Sequence, residues 1–376
     1  MTVSGKNALS AKAKQYSAIK YSLAIGETIY TLVLLLLFQA SGSSQALSAT
    51  CLKIPANQYI ILTGYILILF SAYYILVFPF NFYHSFILEH KFSLSRQHLG
   101  DWFLDQIKSG IISYIIIVIL LAAFYFVLEY NRHNWWWIIS AFWVFFSVVL
   151  AKLTPVMIIP LFFRYKPLSD GALKNKILAL ADKMAVKIID VYEIDFSKKT
   201  IKANAGFVGI GKTRRVILTD TLRDKYTEDE IEIILAHEFA HYRLRHLFKI
   251  VLSGTISTIL LFYLIFRTSD YFLKAFHLSS LSDIAALPLL FIYFIILGII
   301  TQPLQNYISR RMEINADLLA LRVTGLKEAF ISTMEKLSSQ NLSDRNPHPL
   351  IKFFFFDHPP IDERIALARQ DRVFQL

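Results

Sequence analysis

The segment His237-Glu238-Phe239-Ala240-His241 places two imidazoles and a carboxylate within one stretch of helical character. Because positions i and i+4 share a face of an α-helix, His237 and His241 can point at a single cation. Glu238 can then reach a water bound to that cation without being a ligand, which is the arrangement of a zinc peptidase. The alternative is an ordinary helix with these three residues on its wet face, and the rest of the chain must decide between the two.

A hydrolytic zinc ion needs three protein ligands and an open position for water. The single cysteine, Cys51, leaves histidines and carboxylates to supply them. Glu313 and Asp317 are four residues apart in a later polar, helical segment and so share a helical face. We predict Glu313 as the third ligand and Asp317 as the acceptor that fixes the tautomer of a ligand histidine. Without the upstream motif, a solvated helix with Arg–Glu pairs would be the better interpretation.

Two other histidines deserve separate interpretations. His358 stands before Pro359 and Pro360, which hold it in an extended conformation. It is either a hydrogen-bond donor to the oxyanion of a tetrahedral intermediate or a simple loop histidine. His246 follows His241 by five residues and would point away from the shared face, so we do not predict it as a ligand.

The composition indicates that these residues belong to a membrane protein. A hydrophobic content of 55% and a mean hydropathy of +0.47 are too apolar for a soluble chain. The net charge of +11 does not indicate nucleic-acid binding, because the basic residues lie mostly between apolar runs. We therefore predict a multi-pass protein whose surroundings are the lipid bilayer, with no nucleic-acid partner.

The predicted fold class is mainly α, a polytopic helical membrane protein whose protease domain contains a small β-element. Six apolar runs are predicted to cross the bilayer, at residues 21–39, 59–80, 110–128, 135–163, 247–266 and 284–301. Four of them form an N-terminal transmembrane domain, residues 1–163, and the other two belong to a metalloprotease domain, residues 164–376.

The segments between the apolar runs carry further predictions. Residues 40–57 read as a polar loop, residues 81–109 as an interfacial helix pair, and residues from 303 onward as a separate polar, helical part. In the insert that precedes the fifth run we predict helices at 172–185 and 228–246 and strands at 186–194 and 216–219. With six spans, the Lys/Arg-rich segments and the candidate site share one side, which the positive-inside rule makes the cytoplasmic one.

Three motifs in this order, His237 to His241, Glu313 to Asp317 and His358-Pro359-Pro360, resemble those of the type I CAAX prenyl endopeptidases and their bacterial relatives. Residues 82–92 and 160–168 are similar to other parts of that family, so the resemblance covers most of the chain. It implies a gluzincin-type domain with one zinc ion held by His237, His241 and Glu313, and Glu238 as the general base. We also predict that the protein lies in a bacterial inner membrane, with the active site on the cytoplasmic side.

The resemblance further implies that Asn204-Ala205, before Gly209-Ile210-Gly211, pairs with an extended peptide substrate by β-strand addition. Ala203 and Gly206 differ from the polar or histidine residue and the larger residue that the family usually has there. This departure bears on substrate preference and not on the chemistry. Family members enclose their site in a chamber of membrane helices commonly counted as seven, whereas six runs are clear here.

The implied reaction is metal-assisted peptide hydrolysis, in which Glu238 moves the proton from water to the leaving amine. His358 would stabilise the oxyanion, and Arg364 would brace His358 or Asp317. The substrate would be a peptide or protein, either a prenylated CAAX-type peptide cut near its C-terminus or a damaged membrane protein. The alternatives from other classes are a membrane transporter or channel with a regulatory metal site and a catalytically dead scaffold, although the spans show no inverted repeat.

Overall fold

Long helices dominate the structure, a computed structural model that describes residues 3–131, 133–188, 190–208 and 215–370. Six of the described helices are long and apolar enough to cross a membrane, and each overlaps one of the predicted runs; the fourth candidate span ends at Leu161, two residues before the predicted end at 163. They are α1 Val3–Ala40, α3 Gln58–Phe82, α5 Leu99–Tyr130, α6 Trp135–Leu153, α10 His246–Ala275 and α11 Leu287–Thr324. The predicted fold class, a polytopic helical membrane protein, is confirmed.

The predicted interfacial helix pair at 81–109 is wrong, because both of its halves extend membrane helices. The helix α3 continues through a π-helical turn, Tyr83–Ile87, into the short helix α4 Leu88–Lys91, and α5 begins at Leu99. Apolar packing explains the continuation, since the Trp102 ring lies 5.2 Å from the Phe82 ring and 5.8 Å from the Phe86 ring.

The predicted polar loop at 40–57 contains a helix, α2 Ser43–Cys51. Ser44 is fully buried there, and its hydroxyl lies 2.7 Å from both the Tyr65 hydroxyl and the Ala285 carbonyl oxygen. Small polar side chains allow this helix to pack against the membrane helices with its hydroxyl groups satisfied. The composition of the segment therefore reflects close packing and not an irregular backbone.

A small sheet lies in the predicted metalloprotease region. Its strands are β1 Tyr165–Pro167, β2 Asp190–Ile194, β3 Ala205–Val208 and β4 Arg215–Thr219, in the order β1-β2-β4-β3. The pair β2–β4 is parallel, the other two pairs are antiparallel, and β3 is an edge strand. Strands were predicted at 186–194 and 216–219, where β2 and β4 lie, with Ile189 outside the described residues. The short strands β1 and β3 carry no periodic signal from which they could have been predicted.

Helices around the sheet complete this region. They are α7 Gly171–Lys183, α8 Asp220–Arg223, α9 Glu228–Arg243, α12 Lys327–Asn341, α13 Pro349–Phe355 and α14 Ile361–Ala368. The predicted helix at 172–185 corresponds to α7, whereas α9 ends three residues before the predicted boundary at 246. A buried core joins the sheet to α7, α9, α11, α12 and α14.

The helix α11 is continuous where a span and a separate polar helix were predicted. It runs from Leu287 to Thr324 through Pro303, which is buried inside the helix. Proline removes one backbone hydrogen bond, but α11 packs along α1, α9 and α10 and so remains a single element. The same rigid helix therefore contributes a membrane span at one end and Glu313 and Asp317 at the other.

Candidate active site

The helix α9 begins with a capping box that anchors the segment carrying both histidines. The Thr227 N–H donates to Glu230 Oε2 at 2.8 Å, and the Glu230 N–H donates to the Thr227 hydroxyl at 3.3 Å. These bonds satisfy two backbone donors that the first turn would otherwise leave free. Glu230 is itself buried and also accepts from the Lys336 ammonium at 2.6 Å and from the Ser332 hydroxyl at 2.6 Å. The start of the helix is thereby fixed to α12.

Small residues bring α9 and α11 into close contact. Ala236 and Ala240 on α9 and Ala316 and Ala320 on α11 are fully buried in the same core. Alanines at i and i+4 present a flat helical face, so the two backbones can approach each other closely. This approach allows side chains from both helices to meet beside the contact.

His237, His241 and Glu313 meet beside that contact, with one ligand atom of each within 4.8 Å of the others. The Glu313 carboxylate lies 3.2 Å from His237 Nε2 and 3.2 Å from His241 Nε2. The two Nε2 atoms are 3.0 Å apart. The three side chains thus direct their polar atoms at one point, as a single cation would require.

Asp317 and Arg364 support His237 from behind. Asp317 is fully buried, and its Oδ1 lies 2.8 Å from His237 Nδ1. Arg364 donates from Nε at 2.7 Å and from Nη2 at 2.6 Å to the two oxygens of the same carboxylate. This bidentate pair fixes the carboxylate in a buried position. Of the two roles predicted for Arg364, the structure brings it to Asp317 and not to His358.

The chemistry of the cluster fits a metal cation. Glu313 is 5% exposed, and its buried Oε2, 3.2 Å from His237 Nε2, makes no well-aligned hydrogen bond among the described residues; a cation would supply the missing partner. Burial lowers the pKa of His237, but Asp317 and Glu313 outweigh burial and raise this pKa to about 10. A cation at this site would compete with the proton that the two carboxylates favour on His237.

A cleft of about 540 Å³ opens in front of the cluster, a volume typical of ligand sites. Glu238 is half-buried and lines this cleft next to His237, beside the space in which a substrate would lie. Residues of α1 also form part of its wall, so the membrane region and the metalloprotease region share the cleft. These residues are Tyr16, Ser17, Lys20, Tyr21 and Ala24.

Asn204 and Ala205 line the same cleft at the start of the edge strand β3. The Asn204 carbonyl oxygen accepts from the Thr219 N–H at 3.1 Å. Because successive residues of an antiparallel strand bond to opposite sides, the N–H and C=O groups of Ala205 point to the free edge. An extended peptide could pair with them. The segment Gly209-Ile210-Gly211, quoted with this motif, lies outside the described residues.

The first membrane helix is tied to the segment before β3 by a polar contact. Lys202 Nζ lies 2.8 Å from Glu89 Oε2, and the Tyr16 hydroxyl donates to Glu89 Oε1 at 2.5 Å. More than seventy positions separate Tyr16 from Glu89, and over a hundred separate Glu89 from Lys202. No local pattern in the sequence could have indicated this connection.

His358 lies near the cluster although its side chain is half-exposed. Its Nε2 is 3.4 Å from Glu313 Oε1, and its Nδ1 is 2.9 Å from Asp357 Oδ1. His358 belongs to the segment after α13 and lines the cleft. This position is compatible with a donor to a substrate oxygen, and it makes the loop interpretation less favourable.

His246 was predicted to point away from the shared face and not to be a ligand, and the structure places its ring against that of His241. It is 1% exposed, and its Nδ1 lies 2.9 Å from His241 Nδ1. The expected direction of the ring assumed that α9 continues through 246, whereas the helix ends at Arg243. The turn that follows returns the His246 ring to His241.

Two family models match the chain and together account for almost all of it. Peptidase family M48 matches residues 167–372. A second model, described as CAAX prenyl protease N-terminal, five membrane helices, matches residues 6–164. Both descriptions agree with the resemblance of the three sequence motifs to those of the type I CAAX prenyl endopeptidases.

Individual proteins agree with these models. The uncharacterized metalloprotease YhfN of Bacillus subtilis is 31% identical over 365 residues, which cover 96% of this chain and 85% of that protein. CAAX prenyl protease 1 of Saccharomyces cerevisiae is 30% identical, over 77% of this chain and 67% of its own. The crystal structure of S. mikatae Ste24p matches with a TM-score of 0.86 and 26% identity, covering 96% of this chain and 89% of that chain. These similarities favour a peptidase over a transporter or channel.

Proposed function

Because the chain belongs to peptidase family M48 and is a membrane metalloprotease of the CAAX prenyl protease family, we propose that it is a zinc-dependent endopeptidase with one zinc ion per chain. His237, His241 and Glu313 hold the zinc, and Glu238 is the general base. A set of two histidines and one glutamate is a usual zinc ligand set in hydrolytic sites with an open fourth position. The observation that carries the proposal is the convergence of these three side chains beside the cleft that Glu238 lines.

The chemistry that the metal supplies when bound is polarisation of the scissile carbonyl and activation of water. The Glu238 carboxylate accepts the proton of the attacking water and passes it to the leaving amine. His358 donates from Nε2 to the oxygen of the former carbonyl as negative charge develops there. Asp317, held by Arg364, keeps the ring of His237 in one orientation.

The substrate is a peptide or protein, and we propose that it lies extended along the cleft. The free edge of β3 at Asn204 and Ala205 supports this arrangement, because backbone pairing holds a peptide irrespective of its side chains. The wall formed by α1 supports access from the bilayer and therefore substrates that carry a lipid or a membrane segment. Prenylated CAAX-type peptides, suggested by the yeast relative's name, and damaged membrane proteins both fit this description.

We also propose that the protein lies in a bacterial inner membrane with its active site on the cytoplasmic side. The boundary between its transmembrane domain and its metalloprotease domain is proposed between residues 163 and 164. The distribution of Lys and Arg along the chain supports the orientation. Cys51 is the only cysteine, so single cysteines can be introduced into a C51S background and labelled from either side. Labelling of a cysteine at Lys187 from the outside of intact cells would contradict the orientation.

The test of the catalytic assignment is the pair of variants E238Q and E232Q. Both residues lie on α9, but Glu232 pairs with Lys176 at 3.2 Å on the surface and does not line the cleft. E238Q is expected to abolish metal-dependent peptide cleavage while zinc content, measured by elemental analysis, remains unchanged. E232Q should cleave like the wild type. Full activity of E238Q would show that Glu238 is not the general base. Normal zinc content in H241A would show that His241 is not a zinc ligand.

A further inference from the structure

His246 is a buried polar residue that the proposed mechanism does not use. Its Nδ1 faces His241 Nδ1 at 2.9 Å, and the two ring centres are 4.9 Å apart at an angle of 75°. The Nδ1 atom of His241 lies on the far side of its ring from Nε2, which faces Glu313. His246 therefore contacts the candidate metal ligand from behind and is not placed as a ligand itself.

A turn between α9 and α10 creates this contact. The residue before α10, Arg245, has a φ of 55°, in the left-handed region that non-glycine residues rarely adopt. On an uninterrupted helix, a residue five positions later would be rotated by about 140° from His241. The left-handed residue changes the chain direction instead, so that the first residue of α10 packs its ring against that of His241.

The other nitrogen of His246 makes packing alone an insufficient explanation. His246 Nε2 is buried and has no hydrogen-bond partner among the residues that the structure describes. An unpaired buried donor costs about 1–3 kcal/mol, and a phenylalanine would fill a similar volume without this cost. A buried histidine at this position therefore indicates a use for Nδ1, the nitrogen that faces His241.

We propose that His246 is a positioning residue that fixes the tautomer of His241. A neutral imidazole carries one proton, so a His241 ring that offers Nε2 to a metal carries its proton on Nδ1. His246 accepts this proton's hydrogen bond at its own Nδ1 and carries its proton on Nε2, the atom without a partner. The inference rests on the proposed ligand set, in which His241 binds the metal through Nε2.

The two ligand histidines would then be supported in different ways. Asp317, a carboxylate neutralised by Arg364, lies behind His237, whereas a neutral imidazole lies behind His241. A neutral acceptor orients the ring without adding a further negative charge near the metal. The site then keeps the positive charge that stabilises the developing oxyanion.

Three variants of His246 test the proposal. In H246N the side-chain oxygen lies close to the position of the histidine Nδ1 and can still accept from His241, in H246Q the oxygen is displaced by one bond, and H246F has no acceptor. Zinc dissociation constants of the purified, detergent-solubilised full chain are measured by competition with a chromophoric chelator. The cobalt-substituted forms are compared by their visible absorption, which reports ligand geometry.

Loss of a hydrogen-bond partner behind a metal ligand typically weakens metal binding by about 10- to 100-fold, and we expect this loss for H246F and H246Q. H246N should retain an affinity and a cobalt spectrum close to those of the wild type. Wild-type affinity in H246F and H246Q would overturn the proposal. Equal losses in all three variants would also overturn it, because the residue would then act only through packing.

The experiment separates this inference from the proposed function. If H241A binds zinc as the wild type does, the ligand set itself is wrong. If H241A loses zinc while H246Q and H246F keep it, only the role of His246 is wrong. Thermal unfolding of the metal-free variants verifies that each is folded, and the comparison of H246N with H246Q suffices if H246F does not fold.

Discussion

Asparagine in place of Asp317 removes a buried charge on which both Arg364 and His237 depend. Asp317 is fully buried and receives two hydrogen bonds from Arg364, at 2.6 and 2.7 Å, while His237 Nδ1 lies 2.8 Å away. The amide of asparagine can accept at one oxygen only. Its NH₂ group faces the Arg364 Nε donor in one orientation, and both Arg364 Nη2 and His237 Nδ1 in the other. D317N is therefore expected to weaken two properties that can be measured separately.

The first property is metal affinity, and the second is the stability of the metal-free protein. Loss of the carboxylate behind a ligand histidine weakens zinc binding by about 10- to 100-fold, or about 1.4–2.8 kcal/mol. Leaving Arg364 as an unpaired buried charge costs about 3–5 kcal/mol of folding stability. Zinc titration against a chelator measures the first loss, and denaturant unfolding of the metal-free protein measures the second.

The double variant D317N/R364M distinguishes the two losses. Methionine has no charge to leave unpaired at position 364, so the double variant should regain part of the stability that D317N loses. Its zinc affinity should remain low, because His237 still lacks a carboxylate behind it. The reasoning is refuted if D317N binds zinc like the wild type, or if the second substitution restores zinc affinity together with stability.

Two other predictions concern the start of α9 and the edge of β3. Burial raises the pKa of Glu230, but hydrogen bonds from Lys336, Ser332 and the Thr227 N–H outweigh burial and lower this pKa below its usual value. The resulting stabilisation is present above the unfolded-state pKa and is lost as the pH falls through the folded-state pKa. At neutral pH, the free energy of unfolding of E230Q should therefore be about 1–3 kcal/mol lower than that of the wild type. This difference should shrink as the pH falls. A difference in denaturant unfolding that does not depend on pH would contradict the reasoning. A205P removes an N–H that points to the free edge of β3, so KM for peptides should rise about tenfold, the value of one hydrogen bond. A205G keeps this N–H and should retain the KM of the wild type, and an unchanged KM in A205P would exclude pairing at this residue.

Local sequence patterns were sufficient for much of the fold and for the principal candidate residues. Apolar runs long enough to span a bilayer predict membrane helices because lipid requires backbone groups to be satisfied within the helix. Each of the six predicted runs overlaps a candidate membrane helix. Helical spacing likewise places His237 with His241, and Glu313 with Asp317, on shared faces. These features depend on residues a few positions apart, and so they can be read along the chain.

The tertiary structure decided how these faces meet. It carries α11 through Pro303, so that Glu313 and Asp317 lie on a membrane helix. It pairs Arg364 with Asp317 across 47 positions, and it makes β3 an edge strand. Such contacts depend on which surfaces pack together, and neighbouring residues do not encode this.

The segment that begins at His237 shows both what local sequence patterns determine and what only tertiary packing decides. Its residue types and their spacing by themselves indicate a metal-dependent hydrolase. No pattern in the sequence indicates that Arg245 turns the chain, because a left-handed residue other than glycine is stabilised by tertiary packing and not by its own preference. The end of one helix and the start of the next therefore determined that His246 lies behind His241.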